Sequence, residues 1–157
     1  MGPPFLIGQI RSHTLERDMV YTQSVDWTEF YDALDRVLAE MESERFEAIV
    51  AIAQGGILPA ALLQQEWGVP MGVVHINYRD NENKPRFADA RLLDEGPPPF
   101  AGRKVLLVDD VSRTGRTLAK ARAYLANSTV KTFLVNGEAD FHLYKTDECL
   151  RMPWKRD

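Results

Sequence analysis

The residues best suited to chemistry in this chain lie in one run, Val108-Asp109-Asp110-Val111-Ser112-Arg113-Thr114-Gly115-Arg116-Thr117. Two adjacent carboxylates follow an apolar stretch, and paired carboxylates at the tip of a strand can hold Mg²⁺ or the hydroxyl groups of a ribose. The Ser-x-Thr-Gly-x-Thr pattern behind them presents hydroxyls and backbone N–H groups at a predicted helix N-terminus, which suits a phosphate. The alternative is two solvated aspartates before a capped helix, but capping alone accounts poorly for both features.

Two common phosphate-binding signatures are absent from the sequence, since neither GxxxxGK[ST] nor GxGxxG occurs in it. The first marks P-loop proteins and the second marks dinucleotide-binding proteins, so both classes are disfavoured. The three histidines, His13, His75 and His142, do not have the spacing of a metal cluster. His75 alternates within a predicted strand and is interpreted as a packing residue. For His142, in the predicted hood, a surface role is expected, and the alternative is a position that borders the base site.

The elements that must position these residues follow from the hydrophobic pattern. Short apolar runs predict four strands, Ala48–Ala53, Met71–Ile76, Val105–Val108 and Val130–Val135. Helical spacing predicts helices at Ile57–Trp67 and Thr117–Leu125, which alternate with the strands. Apolar strands that alternate with helices are typical of an α/β fold with a mainly parallel sheet covered on both faces. Ligands of such sheets bind beyond the carboxyl ends of the strands, where the two carboxylates are expected.

A further helix is predicted from Asp26 onward. Asp26 and Glu29 have the spacing of a capping box, in which each side chain accepts a hydrogen bond from the backbone of the other residue. Apolar residues then recur at helical spacing, and we interpret the whole stripe as core packing. Its members are Trp27, Phe30, Tyr31, Leu34, Val37, Leu38 and Met41.

Between the second and third strands lies the polar segment 77–102, which ends in three consecutive prolines. A segment of this length without periodicity inside a compact domain is usually functional or disordered. A mobile lid and an ordinary surface loop are therefore the two interpretations. Residues 1–18 are interpreted as an irregular N-terminal extension, and residues 19–157 as a single domain.

Composition and charge limit the class of protein further. The net charge is −4, yet cations gather in Tyr78–Arg91 and Arg113–Lys120, which favours a small anionic ligand over a nucleic acid. The alternative is scattered solvated charge. No apolar stretch is long enough for a membrane helix, and no signal peptide is recognised. The single cysteine, Cys149, fits the reducing cytoplasm, where we expect the protein to reside.

Three motifs carry a family resemblance. VLLVDDVSRTGRT resembles the phosphoribosyl pyrophosphate (PRPP) signature of the type I phosphoribosyltransferases. IVAIAQGGILPAALLQQEWGVP is similar to their pyrophosphate loop and the helix after it, and DECLRMPW is similar to the short hood of the xanthine-guanine and related purine enzymes. The resemblance implies the type I phosphoribosyltransferase fold, a mainly parallel central sheet flanked by helices, with a C-terminal hood at about residues 136–154.

The resemblance also implies roles for individual residues. Asp109 and Asp110 are expected to bind the ribose hydroxyls of PRPP, directly or through Mg²⁺. The other predicted contacts are Ser112, Arg113, Thr114, Gly115, Arg116 and Thr117 for PRPP and its 5′-phosphate, Gln54, Gly55 and Gly56 for pyrophosphate, and Asn136, Cys149 and Leu150 for the base. The segment 77–102 matches the flexible catalytic loop, in which Arg79, Lys84 and Arg86 are the candidate catalytic cations. Glycine suits the pyrophosphate loop because a backbone that touches phosphate oxygens has no room for a Cβ atom.

Two positions depart from the 6-oxopurine enzymes that the chain resembles. Where those enzymes have an aspartate that serves as acid or base at purine N7, this chain has Arg113, which stays protonated and cannot be that base. Where they have a lysine that contacts the purine O6, this chain has Asn136, which donates a hydrogen bond without the charge.

The activity that the resemblance implies is transfer of the 5-phosphoribosyl group of PRPP to a purine base, with Mg²⁺ as cofactor and release of pyrophosphate. The expected partners are PRPP and a nucleobase, or the nucleoside monophosphate and pyrophosphate, and a homo-oligomer (dimer or tetramer) is expected by analogy. No nucleic acid or membrane partner is expected. The alternative is a non-catalytic protein of the same fold that binds PRPP or a nucleotide and regulates another process.

Overall fold

The computed structural model describes residues 21–77, 84 and 86–156, so the predicted extension 1–18 lies outside the described residues. In chain order the elements are β1 (Gln23–Ser24), α1 (Trp27–Glu40), β2 (Ala48–Ala53), α2 (Ile57–Trp67), β3 (Met71–Asn77), β4 (Arg91–Leu92), β5 (Lys104–Val111), α3 (Arg116–Tyr124), β6 (Thr129–Asn136), β7 (Phe141–Tyr144) and β8 (Leu150–Arg151).

Six of these strands form one sheet in the order β4-β3-β2-β5-β6-β7, and β1 pairs with β8 in a small separate sheet. Every pairing within the six-stranded sheet is parallel except that of β3 with β4. The predicted α/β fold with a mainly parallel sheet is therefore confirmed. The order also places β2 and β5, the two strands that precede the candidate site, side by side at the centre.

Helices cover both faces of this sheet, which is why its central strands are apolar on both sides. On one face α1 and α2 bury residues such as Phe30 and Leu63 against Leu106 and Val108 of β5. On the other face Leu118 of α3 and Leu125, directly after α3, are buried against the alternate residues of the same strands. The two layers hold the carboxyl ends of β2 and β5 in fixed positions.

The capping box at the start of α1 is confirmed. The backbone N–H of Glu29 donates to Oδ1 of Asp26 at 2.8 Å, and the N–H of Asp26 donates to Oε2 of Glu29 at 2.9 Å. The interpretation of the aromatic stripe as core is wrong at two positions, because Trp27 and Tyr31 are 43% and 44% exposed. They lie in the first turns of the helix, where they stack on each other beside the ring of Trp154 instead of entering the core.

The last part of segment 77–102 packs on the rest of the fold. Ala90 is buried, β4 pairs with β3, and the Tyr124 hydroxyl donates to the carbonyl of Gly96 at 3.1 Å. Residues 78–83 and 85 lie outside the described residues. The contacts from Ala90 onward favour a surface loop for that part, and a lid in segment 77–102 stays a prediction.

His75 differs from its interpretation as a packing residue, because its side chain is 57% exposed. It lies near the carboxyl end of β3, where the sheet gives way to the loop. Its Nδ1 atom lies 3.0 Å from Oδ1 of Asp94, and its backbone N–H donates to the same carboxylate. His75 therefore helps to hold the part of segment 77–102 around Asp94 on the sheet.

Part of the predicted hood range 136–154 belongs to the main sheet, and the name hood is kept for the residues after it, 145–154. Residues 141–144 form β7 at the edge of the main sheet, so His142 lies in a sheet strand. The connection from β6 turns back sharply, and Asp140 at its end accepts hydrogen bonds from the backbone N–H and hydroxyl of Thr132.

None of the described helices is long and apolar enough to cross a membrane.

Candidate functional site

The candidate site lies at the carboxyl ends of β2 and β5. These strands are parallel neighbours with Ala51 opposite Val108, so the loop after β2 and the last residues of β5 meet at one edge of the sheet. β5 runs to Val111, three residues beyond the predicted end. The two carboxylates are therefore part of the strand instead of following it.

Asp109 and Asp110 lie on opposite faces of the sheet, because successive side chains of a strand alternate. Asp110 lies on the side of Gly55, and its Oδ1 accepts from the backbone N–H of Val111 at 2.7 Å. Asp109 is only 6% exposed, and its Oδ1 accepts from the N–H of Asp110 at 2.8 Å. Burial, and then the neighbouring charge of Asp110, raise the pKa of the Asp109 carboxyl well above its ordinary value.

The two glycines after β2 are required by close approach to β5. A Cβ atom on Gly55 would lie 2.4 Å from Cγ and Oδ1 of Asp110, and one on Gly56 would lie 2.2 Å from the carbonyl oxygen of Val108. The structure shows a reason for glycine that the sequence did not, while the predicted room for phosphate oxygens stays a prediction. The glycines let the loop and the acidic strand end touch, and Gln54 before them is exposed and joined to Ala53 by a cis peptide bond.

The turn from Ser112 to Thr117 joins β5 to α3. Gly115 has φ +74°, a left-handed conformation that favours glycine, and a Cβ atom there would meet nothing within 4 Å. The backbone N–H of Gly115 donates to Oγ of Ser112 at 3.1 Å, which closes the turn. Because Gly115 is the N-cap residue and has no side chain, the first N–H groups of α3 have no side-chain cap from it. The turn therefore presents a helix N-terminus beside open space, which is suited to an anion.

The two arginines of this turn point in different directions. The guanidinium of Arg116 donates to the carbonyl of Ala88 at 2.7 Å, which ties the turn to segment 77–102. The guanidinium of Arg113 donates to the carbonyl of Asp147 at 3.2 Å, which ties the turn to the hood. Arg113, predicted among the PRPP contacts, therefore lies on the hood side of the site.

The predicted base contacts lie at and below the hood. Leu150 forms β8 with Arg151, and the carbonyl of Cys149 accepts from the N–H of Thr22 at 3.0 Å. Asn136 is 3% exposed, and both ends of its amide bind the hood backbone. It therefore supports the hood from below instead of lining its surface.

The candidate loop cations are only partly described. Arg79 lies outside the described residues, and Lys84 is exposed. The guanidinium carbon of Arg86 lies 5.8 Å from the centre of the Phe87 ring, and that of Arg91 lies 5.4 Å from the same ring. The aromatic ring therefore holds two cations near the segment that Arg116 contacts.

The chemistry of the donor set fits Mg²⁺. Asp109 and Asp110 offer hard oxygen ligands from the two faces of the strand end, and a divalent cation at either carboxylate would offset its charge. Among residues 21–77, 84 and 86–156, no group of three or more His, Cys, Asp or Glu side chains is placed to hold a metal. Mg²⁺ usually retains waters and binds through one or two carboxylates plus substrate oxygens, so even one of the two aspartates suffices.

Two parts of the site were not predicted from the sequence. Residues 22–25 build the hood together with residues 149–151, although a two-residue strand such as β1 has no detectable period. The backbone of residues 146–148 receives the side chains of Arg113 and Asn136. No sequence signal marks these contacts, because they are made to backbone atoms far along the chain.

The glycine loop, the acidic pair and the turn before α3 meet at the carboxyl ends of parallel strands, which is where α/β sheets of this kind bind their ligands. Residues 21–136 match the model of the phosphoribosyl transferase domain family, and the chain belongs to that family. Its fold is the type I phosphoribosyltransferase fold.

The chain is 32% identical over 92 residues to an orotate phosphoribosyltransferase of Sulfurisphaera tokodaii, a match that covers 59% of this chain and 43% of that protein. It is 31% identical over 88 residues to the transcriptional regulator GfcR of Archaeoglobus fulgidus, with coverage of 55% and 43%. The chain spans less than half the length of these curated relatives. The crystal structure of a purine phosphoribosyltransferase from Pyrococcus horikoshii Ot3 superposes with a TM-score of 0.70 at 20% identity, covering 86% and 95% of the two chains, which supports the fold.

Proposed function

We propose that this protein transfers the 5-phosphoribosyl group of PRPP to a nucleobase and releases pyrophosphate. In the reaction the bond from ribose C1 to the pyrophosphate oxygen breaks and a bond from C1 to a base nitrogen forms. The contact between Gly55 and the Asp110 carboxylate carries the proposal, because it brings the pyrophosphate loop against the acidic pair. A ligand that joins a pyrophosphate to a ribose needs both groups at once.

Each part of the ligand has a matching part of the site. The turn from Ser112 to Thr117 receives the 5′-phosphate on the N–H groups at the start of α3, where the helix dipole favours an anion. Asp109 and Asp110 accept hydrogen bonds from the ribose hydroxyls, and the backbone at Gln54, Gly55 and Gly56 holds the pyrophosphate. Catalysis then comes from holding the reacting atoms in line, which lowers the entropic part of the barrier.

Asp109 and Asp110 are the residues that would hold Mg²⁺, as hard oxygen ligands. When bound, the ion offsets the negative charge that develops on the departing pyrophosphate. Arg86, in the segment that Arg116 contacts, is the described cation proposed to add positive charge near the pyrophosphate. Arg79 and Lys84 belong to this proposed set by their sequence positions alone.

An anionic base suits this site best. The proton on the attacking nitrogen needs an acceptor, and an arginine such as Arg113 cannot be that base. The departing pyrophosphate or water can take the proton, while the permanent charge of Arg113 near the hood favours the binding of a base that carries a negative charge. The xanthine anion and orotate carry such a charge, and two orotate phosphoribosyltransferases are among the relatives in sequence.

The test measures pyrophosphate release from Mg²⁺-PRPP with xanthine, orotate, hypoxanthine, guanine, adenine and uracil. The double variant Asp109→Asn/Asp110→Asn is expected to lose both turnover and PRPP binding. A matched control, Asp32→Asn/Asp35→Asn, removes two carboxylates from α1 and is expected to retain both, since these acids are exposed and distant in sequence from the site. Absence of PRPP binding to the unaltered protein at millimolar concentration contradicts the proposal.

The second candidate is a regulatory protein that binds PRPP or a nucleotide without turnover. Two observations favour it: Arg113 in place of an acid, and the match to a transcriptional regulator. Titration calorimetry and turnover separate the two candidates. PRPP binding without pyrophosphate release from any base in the panel supports the regulator, and PRPP-dependent release supports the enzyme.

A further inference from the structure

The backbone of the hood turn, residues 146–148, is held from two sides. From below, the N–H of Thr146 donates to Oδ1 of Asn136 at 3.0 Å, and Nδ2 of Asn136 donates to the carbonyl of Glu148 at 3.4 Å. From the side, Arg113 donates to the carbonyl of Asp147 at 3.2 Å. Each residue of the turn is therefore bound by one of two side chains from the ends of β5 and β6.

Asn136 is built into this position. It is the last residue of β6, pairs with Val111 of β5 and with Tyr144 of β7, and is 3% exposed. Its carbonyl accepts from the N–H of Ser112 at 3.2 Å, so the same residue also touches the start of the phosphate turn. A buried amide with partners at both ends has one orientation, which fixes the turn that it binds.

The other side of the hood turn offers little packing. A cleft of about 340 Å³ opens between the end of β7 and the small β1–β8 sheet, and Thr146 and Leu150 line it. The turn itself is polar, with its own bond from the N–H of Glu148 to Oγ1 of Thr146 at 3.1 Å. Because apolar packing does not hold the turn on this side, the hydrogen bonds from Arg113 and Asn136 keep it in position.

We propose that Arg113 and Asn136 are positioning residues that clamp the hood turn over the base site. They set the affinity for the base through the position of this turn, not by touching the base. This inference rests on the proposed function, since the hood faces a base only if the protein binds one. Arg113 and Asn136 are also the two positions that depart from the 6-oxopurine enzymes, and both side chains bind the backbone of the same turn.

The test uses three variants in the full chain. Arg113→Met removes the bond to Asp147 and keeps an unbranched, shorter side chain, whereas Arg113→Lys retains a donor and is expected to behave nearly as the unaltered protein does. Asn136→Leu removes both bonds of the buried amide at similar volume. The matched control is Arg45→Met, because Arg45 also donates to a backbone carbonyl, that of Glu42 at 3.4 Å, but lies before β2 at the opposite edge of the sheet.

The first readout is hydrogen exchange of the peptide that covers residues 145–150 in the ligand-free protein. We expect faster exchange in Arg113→Met and Asn136→Leu, and unchanged exchange in Arg113→Lys and Arg45→Met. The second readout is the KM for the base, which should rise about threefold to tenfold, the scale of one or two hydrogen bonds, with the KM for PRPP within about twofold. The double variant should show less than the sum of the single effects, because both side chains hold one turn.

The possible outcomes test the clamp and the proposed transferase activity separately. Unchanged exchange in both variants overturns the clamp, and so does an equal loss of affinity for PRPP and base. If Asn136→Leu does not fold, the comparison of Arg113→Met with Arg113→Lys tests the clamp by itself, since Arg113 is exposed. If the unaltered protein turns over no base, the proposed transferase activity fails, while exchange and the affinity for a nucleoside monophosphate still test the clamp.

Discussion

Replacement of the two site glycines by alanine should separate binding from folding. At Gly55 the new Cβ atom meets the carboxylate of Asp110, a side chain that can rotate away. At Gly56 it meets the carbonyl oxygens of Val108 and Ile52 at 2.2 and 2.8 Å, which belong to buried central strands and cannot move without breaking their pairing. We therefore expect Gly55→Ala to lose ligand affinity and Gly56→Ala to lose stability.

The magnitudes follow from what must move. Rotation of Asp110 breaks its bond to the Val111 N–H, which costs about 1 kcal/mol and lowers Tm by about 2–4 °C in a chain of this size. The overlap at Gly56 corresponds to the upper range for overpacked cores, about 3 kcal/mol, or roughly 6–12 °C. Displacement of a ligand-binding carboxylate by about 1 Å can reduce the rate on the order of 100-fold.

The assays are thermal unfolding of the free protein and titration calorimetry with Mg²⁺-PRPP. The control is Gly68→Ala at the end of α2, where φ is +64° and a Cβ atom meets nothing within 4 Å. Its strained backbone should cost about 1 kcal/mol, similar to Gly55→Ala, without any loss of PRPP affinity. Full PRPP affinity in Gly55→Ala, or equal destabilisation by Gly55→Ala and Gly56→Ala, would refute the reasoning.

Three other outcomes are expected. Burial, and then the charge of Asp110, raise the pKa of Asp109, so Asp109→Asn should raise the free energy of unfolding of the ligand-free protein at pH 7 while PRPP binding is lost. Hydrogen bonds from Lys104 and Lys131 lower the pKa of Glu44, so Glu44→Gln should lower Tm at pH 7. The amide of Leu93, bonded to β3 at 2.9 Å, should exchange equally slowly with and without PRPP.

The first two predictions also state how the free energy of unfolding should change with pH, and chemical denaturation at several pH values measures this change. The stability of the protein with Asp109 intact falls as pH rises from 3.8 through the raised pKa, so the gain from asparagine should vanish below pH 3.8. The contribution of Glu44 is present above 4.5 and is lost as pH falls through its lowered pKa, so that difference should shrink in acid. Opposite trends would contradict the assigned causes. Ligand-dependent exchange at Leu93 would contradict the third prediction and show that a lid in segment 77–102 reaches this residue.

Much of the fold was predictable because its signals are local. The apolar run Ala48–Ala53 and the periodic helix Ile57–Trp67 were predicted with the bounds that the structure has, since strand and helix periods depend on near neighbours. The capping box of Asp26 and Glu29 spans a single helical turn and was also predicted from the sequence. Exposure of Trp27 and Tyr31 was not, because periodicity says which residues share a face but not how far along the helix the neighbouring layer extends.

The candidate site divides in the same way. Its residue types and their order are properties of the sequence, and with the parallel sheet they predict where the acidic pair and the glycine loop meet. The partners of individual side chains were decided by tertiary structure: Asp110 against Gly55, Arg116 on Ala88, and Arg113 with Asn136 on the hood turn. These contacts join atoms far apart in the chain, and most of them end on backbone atoms that are chemically alike at every position. Only the packing of the sheet, the helices and the hood selects which backbone atoms come within reach.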